Sequence, residues 1–199
     1  MRRKEFEVGK KNQIEEVLKT AEIGYLVFNG PDGWPRITPL NFVYDGRILW
    51  HGAIAGERFE CLKADPRATF SAVSVYQYLP SHLASEENAT SATAAFKSVQ
   101  VRGRCRPIED PEEKCAILNQ FMAKYQPEGR YRKVSPQEPL YIKVLLATGV
   151  YALTPEEMVG KFKFAQNKSE EDRRKIAAKL KERGAPMDLI VAEEILKTL

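Results

Sequence analysis

The stretch Thr38-Pro39-Leu40-Asn41-Phe42, followed by His51-Gly52-Ala53 and Gly56-Glu57-Arg58, gathers the residue types best suited to holding a ligand. A proline cannot donate to a ladder, so a strand carrying Pro39 sits at a sheet edge or bulges there, exposing backbone amides beside Asn41. Gly52 and Gly56 let the backbone pass close to a bound molecule. Arg58 falls in the first turn of an expected helix, where unpaired N–H groups favour an anion. Amides, glycines, a helix N-terminus and a guanidinium together suit a phosphate ester. The same residues would also build a plain strand-turn-helix corner with Arg58 merely solvated, and spacing alone leaves both readings open. His51 is the group here that changes charge near neutral pH.

The elements that must position these residues follow from periodicity and turn chemistry. Ile14, Val17, Leu18 and Ala21 stand at helical spacing. Strands are expected at 25–28, 36–44, 47–51 and 67–76, with Asp45-Gly46 as a two-residue hairpin turn. A helix is expected from Gly56 to Lys63, stopped by Ala64-Asp65-Pro66. The polar segment 78–95 reads as a mobile loop, and 96–107 as a long strand. Asp110-Pro111-Glu112-Glu113 supplies an N-cap, a first-turn proline and a capping-box glutamate for a helix buried through Cys115, Leu118, Phe121, Met122 and Tyr125. Leu140 to Leu153 reads as the last long strand, with Thr154-Pro155-Glu156-Glu157 as a second capping box. Two helices finish the chain, the first capped by Ser169. His51 and Trp50 alternate along a strand, so Trp50 is expected in the core. Strands with few inserted helices and a helical tail predict a mainly β barrel; a doubly wound parallel sheet would need a helix after nearly every strand, and GxGxxG is absent.

Composition narrows the function classes. At 199 residues, 43% hydrophobic and 29% charged, the chain has globular proportions. No apolar run nears the ~18 residues of a membrane span, and no secretory signal is legible at the start. Cys61, Cys105 and Cys115 have no metal-ligand spacing and read as reduced thiols, which fits a cytoplasmic protein. Two histidines argue against a His-rich metal site, and no metal is expected. The charge of +4 is scattered, apart from 161–183 where acids interleave, so a nucleic-acid partner is not favoured.

Pro39-Leu40-Asn41-Phe42-Val43-Tyr44-Asp45-Gly46, then Leu49-Trp50-His51-Gly52-Ala53 and Gly56-Glu57-Arg58, resembles the pyridoxamine-5′-phosphate-oxidase-like FMN-binding split barrels, in particular the nitroimidazole-resistance branch. Phe96-Lys97-Ser98-Val99-Gln100-Val101-Arg102-Gly103 and Gly160-Lys161-Phe162-Lys163-Phe164-Ala165-Gln166-Asn167 agree in order and spacing. The resemblance implies a six-stranded antiparallel Greek-key split barrel over 1–160, a helical extension over 161–199, a homodimer, and FMN (with FAD as the alternative) at the subunit interface. It implies flavin contacts at Pro39, Leu40, Asn41, Phe42, His51, Gly52, Ala53, Gly56, Arg58 and Ser98. Lys161, Lys163 and Gln166 would join them from the tail, across the dimer. Arg58 stands where many relatives carry lysine, keeping the charge.

The branch has a histidine matching His51, which implies a proton-moving role near the substrate; packing on the flavin or hydrogen-bonding it is the competing role. The implied function is a flavin-dependent oxidoreductase acting on a small electrophile such as a nitroaromatic. The tail 161–167 also resembles FMN-binding negative transcriptional regulators, and a flavin or haem carrier without turnover is a third class. The chain lacks a helix-turn-helix pattern, and two histidines offer few axial ligands for haem.

Overall fold

The computed structural model describes residues 2–199, which form two compact units. One comprises Glu22–Ala72 and Gln100–Met158; the other takes Val73–Val99, Val159–Leu199 and the described part of 1–21. The strands are β1 (Glu7–Val8), β2 (Ile23–Asn29), β3 (Pro35–Asn41), β4 (Val43–Tyr44), β5 (Ile48–Ala53), β6 (Arg67–Leu79), β7 (Thr93–Ile108) and β8 (Thr148–Lys163). The sheet order is β3-β2-β6-β7-β8-β5-β4 with β1 beside β8, and the sheet is not closed. Six strands are long and two have only two residues, which gives the antiparallel split-barrel architecture that the sequence pattern and the resemblance imply.

The unit that carries the ligand-suited residues also holds α2 (Glu57–Ala64), α3 (Pro111–Tyr125) and α4 (Pro139–Ala147). Tyr25 pairs with Pro39 on β3 and with Ser71 on β6, so every second β2 side chain points inward and Leu26 is fully buried. Phe42, Ile48, Leu49, Trp50, Phe70 and Leu153 complete the core, with Phe42 meeting Phe70 edge-on at 4.7 Å. Trp50 is buried as expected and stacks on Tyr151, whereas Trp34 is exposed. Asp110 caps α3 by accepting the Glu113 N–H at 2.7 Å, with Pro111 at the first turn. All three cysteines are buried free thiols.

Four expectations are corrected. The β4–β5 hairpin forms, but Tyr44 pairs with Ile48, so its loop has three residues, with only Gly46 at positive φ (104°) and Asp45 bound to Arg47 at 2.7 Å. Residues 140–147 form α4: Pro139 occupies its first turn and the Glu138 carboxylate faces the Leu140 N–H. Thr154-Pro155-Glu156-Glu157 lies within β8, where Glu156 pairs with Arg104 of β7 at 2.9 Å and Glu157 with Arg102 at 3.3 Å. Over 78–95 the chain stays regular further than expected: β6 runs to Leu79, β7 begins at Thr93, and two single turns of 3₁₀ helix lie between.

In the other unit, α1 (Lys11–Thr20), α5 (Glu170–Arg183) and α6 (Asp188–Leu196) bury Ile14, Val17, Leu18, Leu180, Val191 and Ile195. Ser169 caps α5 as expected, accepting the Asp172 N–H at 3.1 Å. Lys97 is buried and reaches Glu194 of α6 at 3.0 Å and Glu16 of α1 at 3.7 Å. Asp188 is fully buried, satisfied by Arg183, the Gln77 amide and the Ala185 N–H.

Candidate functional site: an edge-strand pocket with a histidine and an unpaired arginine

The edge strand β3 ends at Asn41, and Phe42 breaks the pairing before β4 resumes at Val43. Its side chain fills the core, while its backbone finds partners on α3. The Tyr125 hydroxyl accepts the Phe42 N–H at 2.9 Å and donates to the Glu22 carbonyl at 2.6 Å; the Lys124 ammonium donates to the Phe42 carbonyl at 3.0 Å. Buried backbone groups must be paired, and here two α3 side chains substitute for a neighbouring strand. Pro39 lies three residues earlier on the same edge strand, the kind of position where a residue without an N–H is tolerated. The Lys124 ammonium sits 4.2 Å from the Phe42 ring centre, and burial lowers its pKa to about 8 against the opposing pull of Glu22.

β5 supplies the second wall. Trp50 faces the core, so His51 faces out, its ring edge-on to Phe121 of α3 at 4.9 Å. Partial burial, then the positive charge of Arg58, holds the His51 pKa below its usual value, so the imidazole is neutral at pH 7. Beside it, the Arg58 guanidinium lies against the Gly52 backbone, and a Cβ at Gly52 would push the tip of that flexible side chain away. The Tyr151 hydroxyl secures the end of the strand by donating to the Ala53 carbonyl at 2.9 Å.

α2 starts at Glu57 after Gly56, whose φ of 107° favours glycine and which offers no side-chain cap. The N–H groups of the first turn are therefore left to other acceptors. Glu57 is drawn away to Arg36 at 2.9 Å, and Arg58 makes no ion pair among the described residues. A half-buried guanidinium against a glycine backbone, at an uncapped helix start, is an arrangement that could hold a phosphate ester.

Pro39, Leu40, Asn41, His51 and Arg58 line one cavity of about 400 Å³, together with Phe121, Met122 and Tyr125 of α3. That volume lies within the range of small-molecule sites, roughly 300–1,000 Å³. The cavity brings together residues of β3, β5 and α2 that the sequence singles out with Phe121, Met122 and Tyr125, which the sequence marks only as a buried helix face. Gly52, Ala53 and Gly56 belong to the adjoining backbone, and the Phe42 side chain points into the core.

The remaining expected contacts belong to the other unit. The Ser98 hydroxyl donates to the Lys161 carbonyl at 3.3 Å, and the Lys161 ammonium lies 5.5 Å from the Phe96 ring centre. Lys163 donates to the Thr93 hydroxyl. Gln166 is engaged locally, accepting the Phe164 N–H at 2.6 Å and donating to the Phe162 carbonyl at 2.9 Å.

An open antiparallel split barrel whose edge strand, glycine-bearing strand end and arginine-bearing helix start surround one pocket defines a class of small-ligand-binding proteins. The sequence profile of the family described as pyridoxamine 5′-phosphate oxidase matches residues 10–162, and the chain belongs to that family. Among solved structures, a candidate 5-nitroimidazole antibiotic resistance protein from Bacteroides thetaiotaomicron is similar at 20% identity, with 78% of this chain and 85% of that one covered and a TM-score of 0.64. A flavocytochrome from Azotobacter vinelandii is similar at 23% identity over 84% of this chain and 74% of that one, with a TM-score of 0.68. An FAD- and haem-binding protein from Mycobacterium smegmatis is similar at 17% identity over 84% and 78%, also with a TM-score of 0.68. At these identities the likeness is one of fold. No curated protein matches the sequence. Among the described residues no helix is long and apolar enough to cross a membrane.

Proposed function

We propose that this protein binds FMN in the pocket between β3, β5 and the start of α2, and works as a flavin-dependent oxidoreductase on a small electrophile. The observation that carries the reading is Arg58: a cation without an ion-pair partner among the described residues, beside Gly52 and at the uncapped start of α2. Family membership and the flavin-binding relatives among the fold neighbours support a flavin over other phosphate esters. Bound flavin would supply the hydride chemistry. In this role Arg58 and the α2 N–H groups would hold the phosphate, and the Pro39–Asn41 backbone and Phe121 would line the rest of the site. His51, neutral at pH 7, accepts or returns a proton at an imidazole nitrogen. The fold likeness to the nitroimidazole-resistance protein directs the choice of substrate to nitroaromatics.

The test is anaerobic: FMN-loaded protein is mixed with NADH or NADPH, then with a 5-nitroimidazole, and the flavin absorbance is followed. Reduction by either donor and re-oxidation by the nitroaromatic supports the proposal; a bound flavin that neither donor reduces assigns the protein to storage or sensing.

The same pocket supports a homodimer. Ile23, Tyr25 and Ile37 are 50%, 51% and 65% exposed, and the β2–β3 register puts them on one face with Pro39 and Asn41 of the pocket rim. An exposed apolar face running into a ligand pocket suits a second copy closing over the cofactor. Light scattering at micromolar concentration should give twice the chain mass of 22.6 kDa; a single-chain mass overturns the assignment.

A further inference from the structure

The unit formed by β1, α1, α5, α6 and the outer parts of β6–β8 has a cavity of its own, about 220 Å³, that shares no residue with the Arg58 pocket and is lined by Lys163, one of the tail residues expected at a flavin. Its cations come from three separate places in the chain: Arg3 near the start, Lys163 at the end of β8, and Lys168 just before α5. None of the three has a carboxylate within ion-pair distance among the described residues. Nearby lysines do find one: Lys175 reaches Glu171 at 2.6 Å, and Lys97 and Lys197 share Glu194. The cavity is therefore left with excess positive charge. Burial, Lys161 and Arg3 together make it harder for Lys163 to hold its proton, the signature of cations crowded without a counter-charge.

The rest of the lining is equally informative. The segment between β6 and β7 contributes Thr90 and Ser91, and the start of β7 contributes Thr93, whose hydroxyl already accepts from Lys163. Leu79, Leu83 and Ile176 form an apolar part of the wall, and all three are buried. Ala165 also lines the cavity in the left-handed region, at φ 60°, a conformation that costs an L-residue energy, and the Gln166 side chain closes the turn by hydrogen bonds back to Phe164 and Phe162.

We propose that this cavity is a second ligand site, distinct from the Arg58 pocket, for a compact amphipathic anion: an oxyanion head for the cations and hydroxyls, on a body of a few carbons for the apolar wall. At about 220 Å³ the cavity suits a ligand smaller than a whole flavin nucleotide. A free metabolite and the phosphate of a flavin held by another copy share the same head-group chemistry, and the experiment separates them.

The test uses full-length protein saturated with FMN, titrated calorimetrically with monobutyl phosphate and, separately, with inorganic phosphate. Saturable binding is expected, with monobutyl phosphate tighter than inorganic phosphate by well over tenfold, since each buried methylene is worth about fourfold. The double substitution Arg3→Ala with Lys168→Ala, at two surface positions outside the core, should weaken monobutyl phosphate at least about tenfold while leaving FMN affinity and thermal stability unchanged. Arg58→Ala should leave monobutyl phosphate binding intact. Equal affinity for the two phosphates, or no effect of the double substitution, overturns the proposal. So does a double variant that weakens FMN and not monobutyl phosphate, which would hand the cluster to the flavin of another copy.

Discussion

Arg58→Ala isolates the proposed phosphate contact from the fold. The Arg58 guanidinium makes no ion pair among the described residues and lies against the Gly52 backbone, outside the core. Its loss should therefore change the stability of the flavin-free protein by no more than about 0.5 kcal/mol. With flavin, the variant loses one charge-assisted hydrogen bond to phosphate, worth about 1.5–3 kcal/mol. The FMN dissociation constant should then rise roughly ten- to a hundredfold. Arg58→Lys keeps the charge without the planar fork and should fall between. Gly52→Ala reaches the same contact from the other side, because the added Cβ must displace the guanidinium. The assay is quenching of FMN fluorescence by apoprotein, paired with thermal unfolding in the absence of flavin. If Arg58→Ala shifts the dissociation constant by less than about threefold, Arg58 is a solvated helix residue and the phosphate assignment fails.

Three further outcomes follow from other parts of the structure. His51→Ala should keep FMN bound and slow nitroaromatic-driven re-oxidation by about a hundredfold if the imidazole moves protons; the opposite pattern, weak binding with normal turnover at saturation, makes it a flavin contact only. Because folding depresses the His51 pKa, its neutral form contributes stability that is present above about pH 6.5 and lost on acidification, so an NMR titration midpoint at or above 6.5 contradicts the observed packing. Tyr125→Phe leaves the Phe42 N–H without its hydroxyl acceptor and should cost about 1–3 kcal/mol in denaturant unfolding, with FMN weakened as well because the Asn41–Phe42 edge loosens. Lys97→Ala leaves Glu194, whose carboxyl sits below its usual range because Lys197 and Lys97 outweigh the effect of burial, with Lys197 as its remaining partner at 2.7 Å; a loss of about 1–3 kcal/mol in denaturant unfolding is expected, shrinking at low pH as Glu194 is protonated.

The pocket was legible in the sequence wherever one short segment carried its own reason. Pro39 marked an edge, Gly56 and Arg58 marked a helix start, and Asp110-Pro111-Glu112-Glu113 marked α3, since each acts through neighbours in the chain. The α3 wall was not legible, because Tyr125 meets Phe42 across 83 positions and nothing local to Tyr125 announces an orphaned N–H elsewhere. α4 misled for a different reason. Leu140, Ile142, Val144 and Leu146 alternate like a strand, yet all four are exposed, so no buried face enforced the period of two, and Pro139 with Glu138 started a helix instead. At 154–157 the letters of a capping box are present, but the segment is extended within β8 beside β7, where both glutamates meet cross-strand arginines. Tertiary partners decided these cases, and they are invisible to a window along the chain.

The visible spectrum of the protein after incubation with excess FMN and removal of unbound flavin tests the central claim most directly. The pocket of Pro39, Asn41, His51 and Arg58 predicts retained absorbance bands of oxidised flavin at one FMN per chain, diminished in Arg58→Ala. A colourless wild-type protein, or retained flavin that Arg58→Ala leaves untouched, contradicts it.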